Sequence, residues 1–186
     1  MSIRYFIVLA TGLMALCQLP SLQHTLAWDR DAILEGEIWR LVTGNITHTN
    51  WPHMIMNSLA LATITFIFRR YLNTRRLSGL IVCLAAVIGS TLMLSPMHWY
   101  AGLSGVLHGI FTWGAIKDIQ AKDKLGWVLL AGVSAKVIGE QFTGGSSSSA
   151  ELIGARVAVE AHLIGVIAGL CFAIIPTIKN RIANTL

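Results

Sequence analysis

Charge is what this sequence has least of. Only 12% of its 186 residues are Asp, Glu, Lys or Arg, while 54% are hydrophobic and the mean hydropathy is +0.65. Soluble domains carry about a quarter charged residues, so the composition points to a membrane protein. Cysteine is scarce as well. Cys17, Cys83 and Cys171 each fall in a different apolar segment and read as small hydrophobes, giving neither a disulfide nor a metal framework. No linker is long enough to separate two domains and no internal repeat is visible, so residues 1–186 read as one compact helical domain.

The apolar residues fall in blocks. A bilayer span needs about 20 mainly apolar residues, with roughly 17 as the lower end. Six segments qualify as candidates: residues 5–19, 51–68, 77–94, 100–116, 125–141 and 157–175. The expected class is an all-α membrane protein. The first segment, with Arg4 before an apolar run, resembles a signal peptide. No small-x-small cleavage site followed by a soluble domain appears, so it reads as a retained first span.

Orientation follows from the basic residues. The connection at 69–76 holds Arg69, Arg70, Arg75 and Arg76 with no acid, and 117–124 holds three lysines against two aspartates. The tail adds Lys179 and Arg181. All three lie on the side of the N-terminus, which the positive-inside rule makes cytoplasmic. The opposite side carries the loop at 20–50, with Asp29, Asp31, Glu35 and Glu37 against two arginines, then 95–99 and 142–150. The net charge of +5 therefore reflects membrane topology, and nucleic acid is not an expected partner.

Within the 20–50 loop, Leu34, Ile38, Leu41 and Val42 recur at helical spacing and predict a short amphipathic helix at the interface. Trp28, Trp39, Trp51 and Trp99 fit an outer aromatic belt. Gly144-Gly145 and the four serines after them predict a flexible loop.

Polar groups inside spans are costly and usually face the protein interior. The informative set is His53 and Asn57, Ser104 and His108, Lys136 and Glu140, and Glu160 and His162, all near the outer ends of their spans. Ser104 lies about five residues past Trp99, roughly 7 Å along a helix. A serine hydroxyl is a weak nucleophile that needs a base. Gly105 and Gly109 form one small-residue stripe, and Gly165 and Gly169 another on the same face as His162. Close packing of these two helices would bring His162 to Ser104. His53 and Asn57 share a helix face and offer donors for an oxyanion, together with the Ser104 N–H. Interhelical hydrogen bonding is the commoner role of a lone membrane Asn or His, and it stays open for this pair. His108 is expected to pack beside His162, Lys136 to form a structural ion pair with Glu140, and Glu160 to lie at the interface with Arg156 as its partner.

In order, Glu37-Ile38-Trp39-Arg40, His48, His53-x-x-x-Asn57, Gly102-Leu103-Ser104-Gly105 and Ala161-His162-x-x-Gly165-x-x-x-Gly169 resemble the motifs of the rhomboid intramembrane serine proteases. The match runs from about Glu37 to Gly169. The resemblance implies a six-transmembrane-helix rhomboid fold with a Ser–His dyad and no aspartate. Ser104 would be the nucleophile and His162 the base. His53, Asn57 and the Ser104 N–H would form the oxyanion hole, with Gly102, Gly105 and His108 supporting and Arg40 ordering the first loop. It also implies a multi-pass protein of the bacterial inner membrane, with both termini cytoplasmic and the site opening to the periplasm.

Many bacterial rhomboids carry a tyrosine where His108 stands. The run Ser104 to Gly109, the short chain, Lys136 through Glu140-Gln141, and Val159-Glu160-Ala161-His162 look more like the rhombosortase subfamily. That likeness implies transmembrane-anchored protein substrates with a C-terminal Gly-Gly motif, a helix and a basic tail. Small residues there would unwind the substrate helix cheaply.

Three other readings compete. Convergence of His48, His53, His108 and His162 on a metal is one, but the H-E-x-x-H of helical zinc proteases is absent, so neither metal nor cofactor is expected. A catalytically weak or inactive rhomboid relative would bind client transmembrane helices; such relatives tend to lose the serine or the histidine, and both are present. A transporter would need an ionisable path across the bilayer, and the polar set stops in the outer half.

Overall fold

The computed structural model describes residues 1–183, with side chains to Ile175; the side chains of Lys179 and Arg181 lie outside the described residues. The chain is mostly helical. The six apolar segments become α1 (Ile3–Leu16), α5 (Trp51–Ile67), α6 (Thr74–Leu92), α7 (Ser104–Gln120), α8 (Leu125–Thr143) and α10 (Val159–Ala183). Between α1 and α5 lie α2 (Pro20–Leu26), β1 (Trp28–Asp29), α3 (Arg30–Leu34) and α4 (Arg40–Thr43). The strand β2 (Trp99–Tyr100) precedes α7, and α9 (Ser147–Ile153) precedes α10.

Among the described residues only α6 is by itself both long and apolar enough to cross a membrane. The pair α1 and α2 passes together but is bent by 100°, and Val159–Ile175 is a shorter apolar helix. The 17 residues of α5 and of α7 rise about 25 Å each, a little under the ~30 Å of a typical hydrocarbon core.

The centre of the bundle is α7, buried along most of its length. It packs most extensively against α10, and the reason is glycine. A Cβ at Gly165 would lie 2.0 Å from the Gly105 carbonyl oxygen, and one at Gly169 would lie 2.1 Å from that of Gly109. No side chain fits between these backbones. By contrast α8 buries only Gly126, Val133 and Val137, and most of its surface faces outward.

The loop at 20–50 departs from expectation. There is no single amphipathic helix: α3 stops at Leu34, Gly36 turns the chain at φ +109°, and α4 starts only at Arg40. A positive φ suits glycine because it has no Cβ, so the helical period of Leu34 to Val42 is broken by one residue. Trp28 is not part of an aromatic belt either. It is fully buried and donates from Nε1 to the Gly89 carbonyl at 2.9 Å. Trp39, Trp51 and Trp99 remain exposed. Two arginines tie this segment down. Arg40 donates to the carbonyls of His24 at 2.8 Å and Ala27 at 2.7 Å and pairs with Glu37 at 2.5 Å. Arg30 donates to the carbonyls of Leu92, Met93, Met97 and Ser95 where α6 ends.

The serine-rich stretch is partly helical. Gly144 and Gly145 form the turn, and α9 begins at Ser147. Its carbonyls at Leu152 and Ile153 accept from Asn50 and Thr49, which anchors α9 over the start of α5. At the opposite end of α7, buried Asp118 accepts from Arg70 at 2.7 Å and Tyr71 at 2.8 Å. The three cysteines are unpaired: Cys17 is buried, while Cys83 and Cys171 are exposed on helix surfaces.

Candidate active site

Ser104 is the first residue of α7, and Leu103 before it supplies no side-chain cap. The N–H groups of a helix's first turn have no intrahelical partner, so the Ser104 amide is free to serve a ligand. The chain reaches this point through Gly102, at φ +141°, where a Cβ would lie 2.7 Å from the His53 ring. The Tyr100 hydroxyl holds the turn: its one proton goes to the Gly102 carbonyl, the shorter contact, and Asn45 Oδ1 lies 3.2 Å from the same hydroxyl oxygen. Sequence reading did not single out Tyr100; it lies outside every motif.

Opposite Ser104, α10 presents His162, which is 5% exposed. Its Nε2 stands 2.9 Å from Ser104 Oγ. Its other ring nitrogen, Nδ1, stands 2.8 Å from Glu140 Oε2 on α8. Glu140 Oε1 in turn lies 2.5 Å from Lys136 Nζ, and Lys136 Nζ lies 3.1 Å from His108 Nε2. His108 Nδ1 completes the path at 2.7 Å from the Ser104 carbonyl oxygen. The five residues form a closed ring of hydrogen bonds. The Lys136–Glu140 pair is present as expected, but the carboxylate does more than pair: its second oxygen reaches the histidine. Both residues were legible as an i, i+4 pair at the depth of His162; their direction toward α10 was not.

Proton placement follows from the partners. A carbonyl only accepts, so His108 carries its proton on Nδ1 and accepts from the Lys136 ammonium at Nε2. The His108 and His162 rings stack, with centroids 4.2 Å apart and planes 24° from parallel. Glu160 faces away and pairs with Arg156 at 2.9 Å.

His53 and Asn57, both buried on α5, line the same cavity as Ser104, His108, Glu140 and His162. This cavity encloses about 850 Å³. Asn57 Nδ2 has no hydrogen-bond partner, so an amide donor stands free beside the serine. His53 is more constrained. The single hydroxyl proton of Thr49 goes to the Ile153 carbonyl at 2.6 Å, so its oxygen accepts from His53 Nδ1 at 3.0 Å. Neutral His53 thus has its lone pair on Nε2, and it can donate from there only after taking a second proton.

His48 lies outside this ring. It is fully buried, edge-on to His53 with centroids 5.0 Å apart, and both of its nitrogens lack partners. Among the described residues, one group offers ligand atoms at metal spacing: His108, Glu140 and His162, within 4.8 Å of one another. The Lys136 ammonium already contacts two of the three and supplies the positive charge that a metal would bring.

A second, mainly apolar groove of about 410 Å³ runs from Ser104 and His108 between α5 and α8, lined by Ala60, Ile64, Leu107 and Val133. Ser104 thus sits where the larger cavity meets an apolar groove, lining both.

Comparison with known proteins gives the family. A family model described as a Rhomboid domain matches residues 35–178. The Rhomboid protease GlpG of Salmonella paratyphi A is 26% identical over 159 residues, covering 84% of this chain and 55% of that protein. The same-named protein of Salmonella newport matches at 26% over the same shares. The chain spans about half the length of the curated relatives it matches.

Proposed function

The chain belongs to the rhomboid family, and is therefore an integral membrane protein; from that premise we propose that it is an intramembrane serine endopeptidase with Ser104 as nucleophile and His162 as base. The observation that carries this reading is the 2.9 Å approach of Ser104 Oγ to His162 Nε2 at the junction of cavity and groove. Ser104 Oγ attacks the scissile carbonyl carbon while its proton passes to His162 Nε2. The developing oxyanion accepts from the Ser104 N–H and Asn57 Nδ2, with His53 adding a donor when its ring is doubly protonated. The imidazolium then protonates the leaving amine as the C–N bond breaks. A water that gives its proton to the same nitrogen attacks the acyl carbon, and the imidazolium returns that proton to Ser104 Oγ as the ester C–O bond breaks.

The finer reading is a rhombosortase. His108 in place of tyrosine, Lys136 with Glu140, and Val159-Glu160-Ala161-His162 support it. The substrates are then secreted proteins anchored by a C-terminal transmembrane helix behind a Gly-Gly motif. The protein spans the bacterial inner membrane six times through α1, α5, α6, α7, α8 and α10, with both termini cytoplasmic and Ser104 opening to the periplasm.

A fluorophosphonate probe tests the reading directly. Covalent label on Ser104, absent in Ser104→Ala and in His162→Ala, is the expected result. An unlabelled Ser104 in folded protein overturns it and favours a non-catalytic binder of client helices. Comparing secreted proteins with and without the gene tests the substrate class: C-terminal helices left uncleaved in its absence are expected, and an unchanged set overturns that part.

A further inference from the structure

We propose that Glu140 is the positioning residue of the base: anchored by Lys136, its carboxylate holds His162 in the one protonation state that can activate Ser104, so the site works as a Ser–His–Glu triad. This inference rests on the protease reading of Ser104 and His162.

The argument starts from proton counting. A neutral imidazole has one N–H and one lone pair, and only the form with the lone pair on Nε2 can accept the serine proton. An imidazole with nothing at Nδ1 is free to take either form. Here Nδ1 faces Glu140 Oε2 at 2.8 Å. An ionised carboxylate has no proton to give, so the hydrogen in that contact belongs to His162 Nδ1. The ionised state is secured from the other side, because Lys136 Nζ lies 2.5 Å from Glu140 Oε1. The remaining nitrogen, Nε2, is then the acceptor, 2.9 Å from Ser104 Oγ.

The same carboxylate acts again once the proton has moved. Proton transfer from Ser104 makes His162 an imidazolium in a place that is 5% exposed. A buried cation without a partner is expensive, and an ionised carboxylate at hydrogen-bond distance offsets much of that expense. The carboxylate contributes more to the charged state than to the neutral one, which is the condition for lowering a barrier.

Lys136 and His108 complete the device. Without the ammonium, the carboxylate would face two histidines with no fixed charge to hold it. With it, Lys136 also donates to His108 Nε2 and so keeps the proton of His108 on Nδ1, against the Ser104 carbonyl. Both charged residues stand on α8, one helical turn apart, while nucleophile and base stand on α7 and α10.

The decisive variant is Glu140→Gln, which preserves shape and loses charge. Cleavage of a membrane-reconstituted substrate helix is measured per Ser104 site, with sites counted by fluorophosphonate titration run to completion. A drop in kcat of at least about 100-fold with KM within twofold is expected, since loss of the orienting carboxylate in a serine triad is of this order or larger. Lys136→Met should lower kcat less, by about tenfold. A kcat for Glu140→Gln within twofold of the unaltered protein overturns the proposal. A second readout does not depend on turnover: in protein with 15N-labelled histidine, the His162 Nδ1 proton should resonate at low field and move upfield in Glu140→Gln. If the unaltered protein does not react at Ser104, the protease reading fails, and this resonance alone decides the positioning role. A signal that is missing, or that stays unshifted in Glu140→Gln, overturns it.

Discussion

The imidazole of His108 lies against that of His162, centroids 4.2 Å apart and 24° from parallel, so each ring covers one face of the other. Ring pairs of this kind contribute roughly 0.5–1.5 kcal/mol beyond simple burial. His108→Ala should therefore lower kcat about tenfold and leave Ser104 reactive. His108→Phe, which keeps a stacked ring but loses the links to Ser104 and Lys136, should recover part of the loss. Abolished labelling in His108→Ala, with labelling kept in His162→Ala, would interchange the roles of the two histidines.

Gly165 and Gly79 are both helix-interior glycines with opposite surroundings. A methyl group at 165 would meet the Gly105 carbonyl oxygen at 2.0 Å, whereas one at 79 meets nothing within 4 Å. Gly165→Ala must push α10 from α7, and forced overpacking costs about 1–3 kcal/mol. Gly79→Ala should be neutral or stabilising by about 0.5–1 kcal/mol, because alanine loses less backbone freedom on folding. Thermal unfolding in one detergent separates the two; equal shifts would contradict the packing described.

Acid should destabilise the protein through His48. Burial first, and then the neighbouring His53, push its pKa down to about 3 from an ordinary value near 6.5. The folded form therefore refuses a proton that the unfolded chain accepts. This group's contribution is fully present above about pH 6.5 and is lost as pH falls towards 3, by about 1.4 kcal/mol per pH unit in that window. His48→Leu should flatten this slope in chemical denaturation between pH 4 and 6. A slope identical to that of the unaltered protein would show that His48 is accessible to protons when folded.

Arg40 is 5% exposed and its guanidinium serves the His24 and Ala27 carbonyls together with Glu37. Removing a buried donor leaves its acceptors unpaired, at about 1–3 kcal/mol each. Arg40→Ala should destabilise by about 2–4 kcal/mol. Arg40→Lys should restore only part, since an ammonium cannot reproduce the planar fork. Full stability in Arg40→Lys would reduce the role to charge alone.

The contact of α7 with α10 was legible because glycine stripes at 105/109 and 165/169 mark backbone contact, and there backbone contact occurs. The same spacing placed His162 on the face toward Ser104. Other residues resisted for definite reasons. Glu140 and Lys136 read as an i, i+4 pair, since spacing along one helix says nothing of a neighbour across from it. Thr49 fixes the proton of His53 through the distant Ile153 carbonyl, a contact no local pattern encodes. Trp28 looked like an interfacial anchor because its burial depends on Gly89, far along the chain. In the loop at 20–50, one glycine at positive φ overrode a four-residue apolar period.

The unequal seating of the helices divides the Ser104 site between two supports. Serine and histidine belong to a frame with no slack, since two carbonyls lie where any side chain would have to go. The carboxylate belongs to α8, which seats Gly126 against the α7 backbone at its far end but leaves most of its surface outward and borders the groove. A tilt of α8 at its Glu140 end would withdraw the negative charge and leave Ser104 and His162 in contact, since that contact rests on α7 and α10 alone.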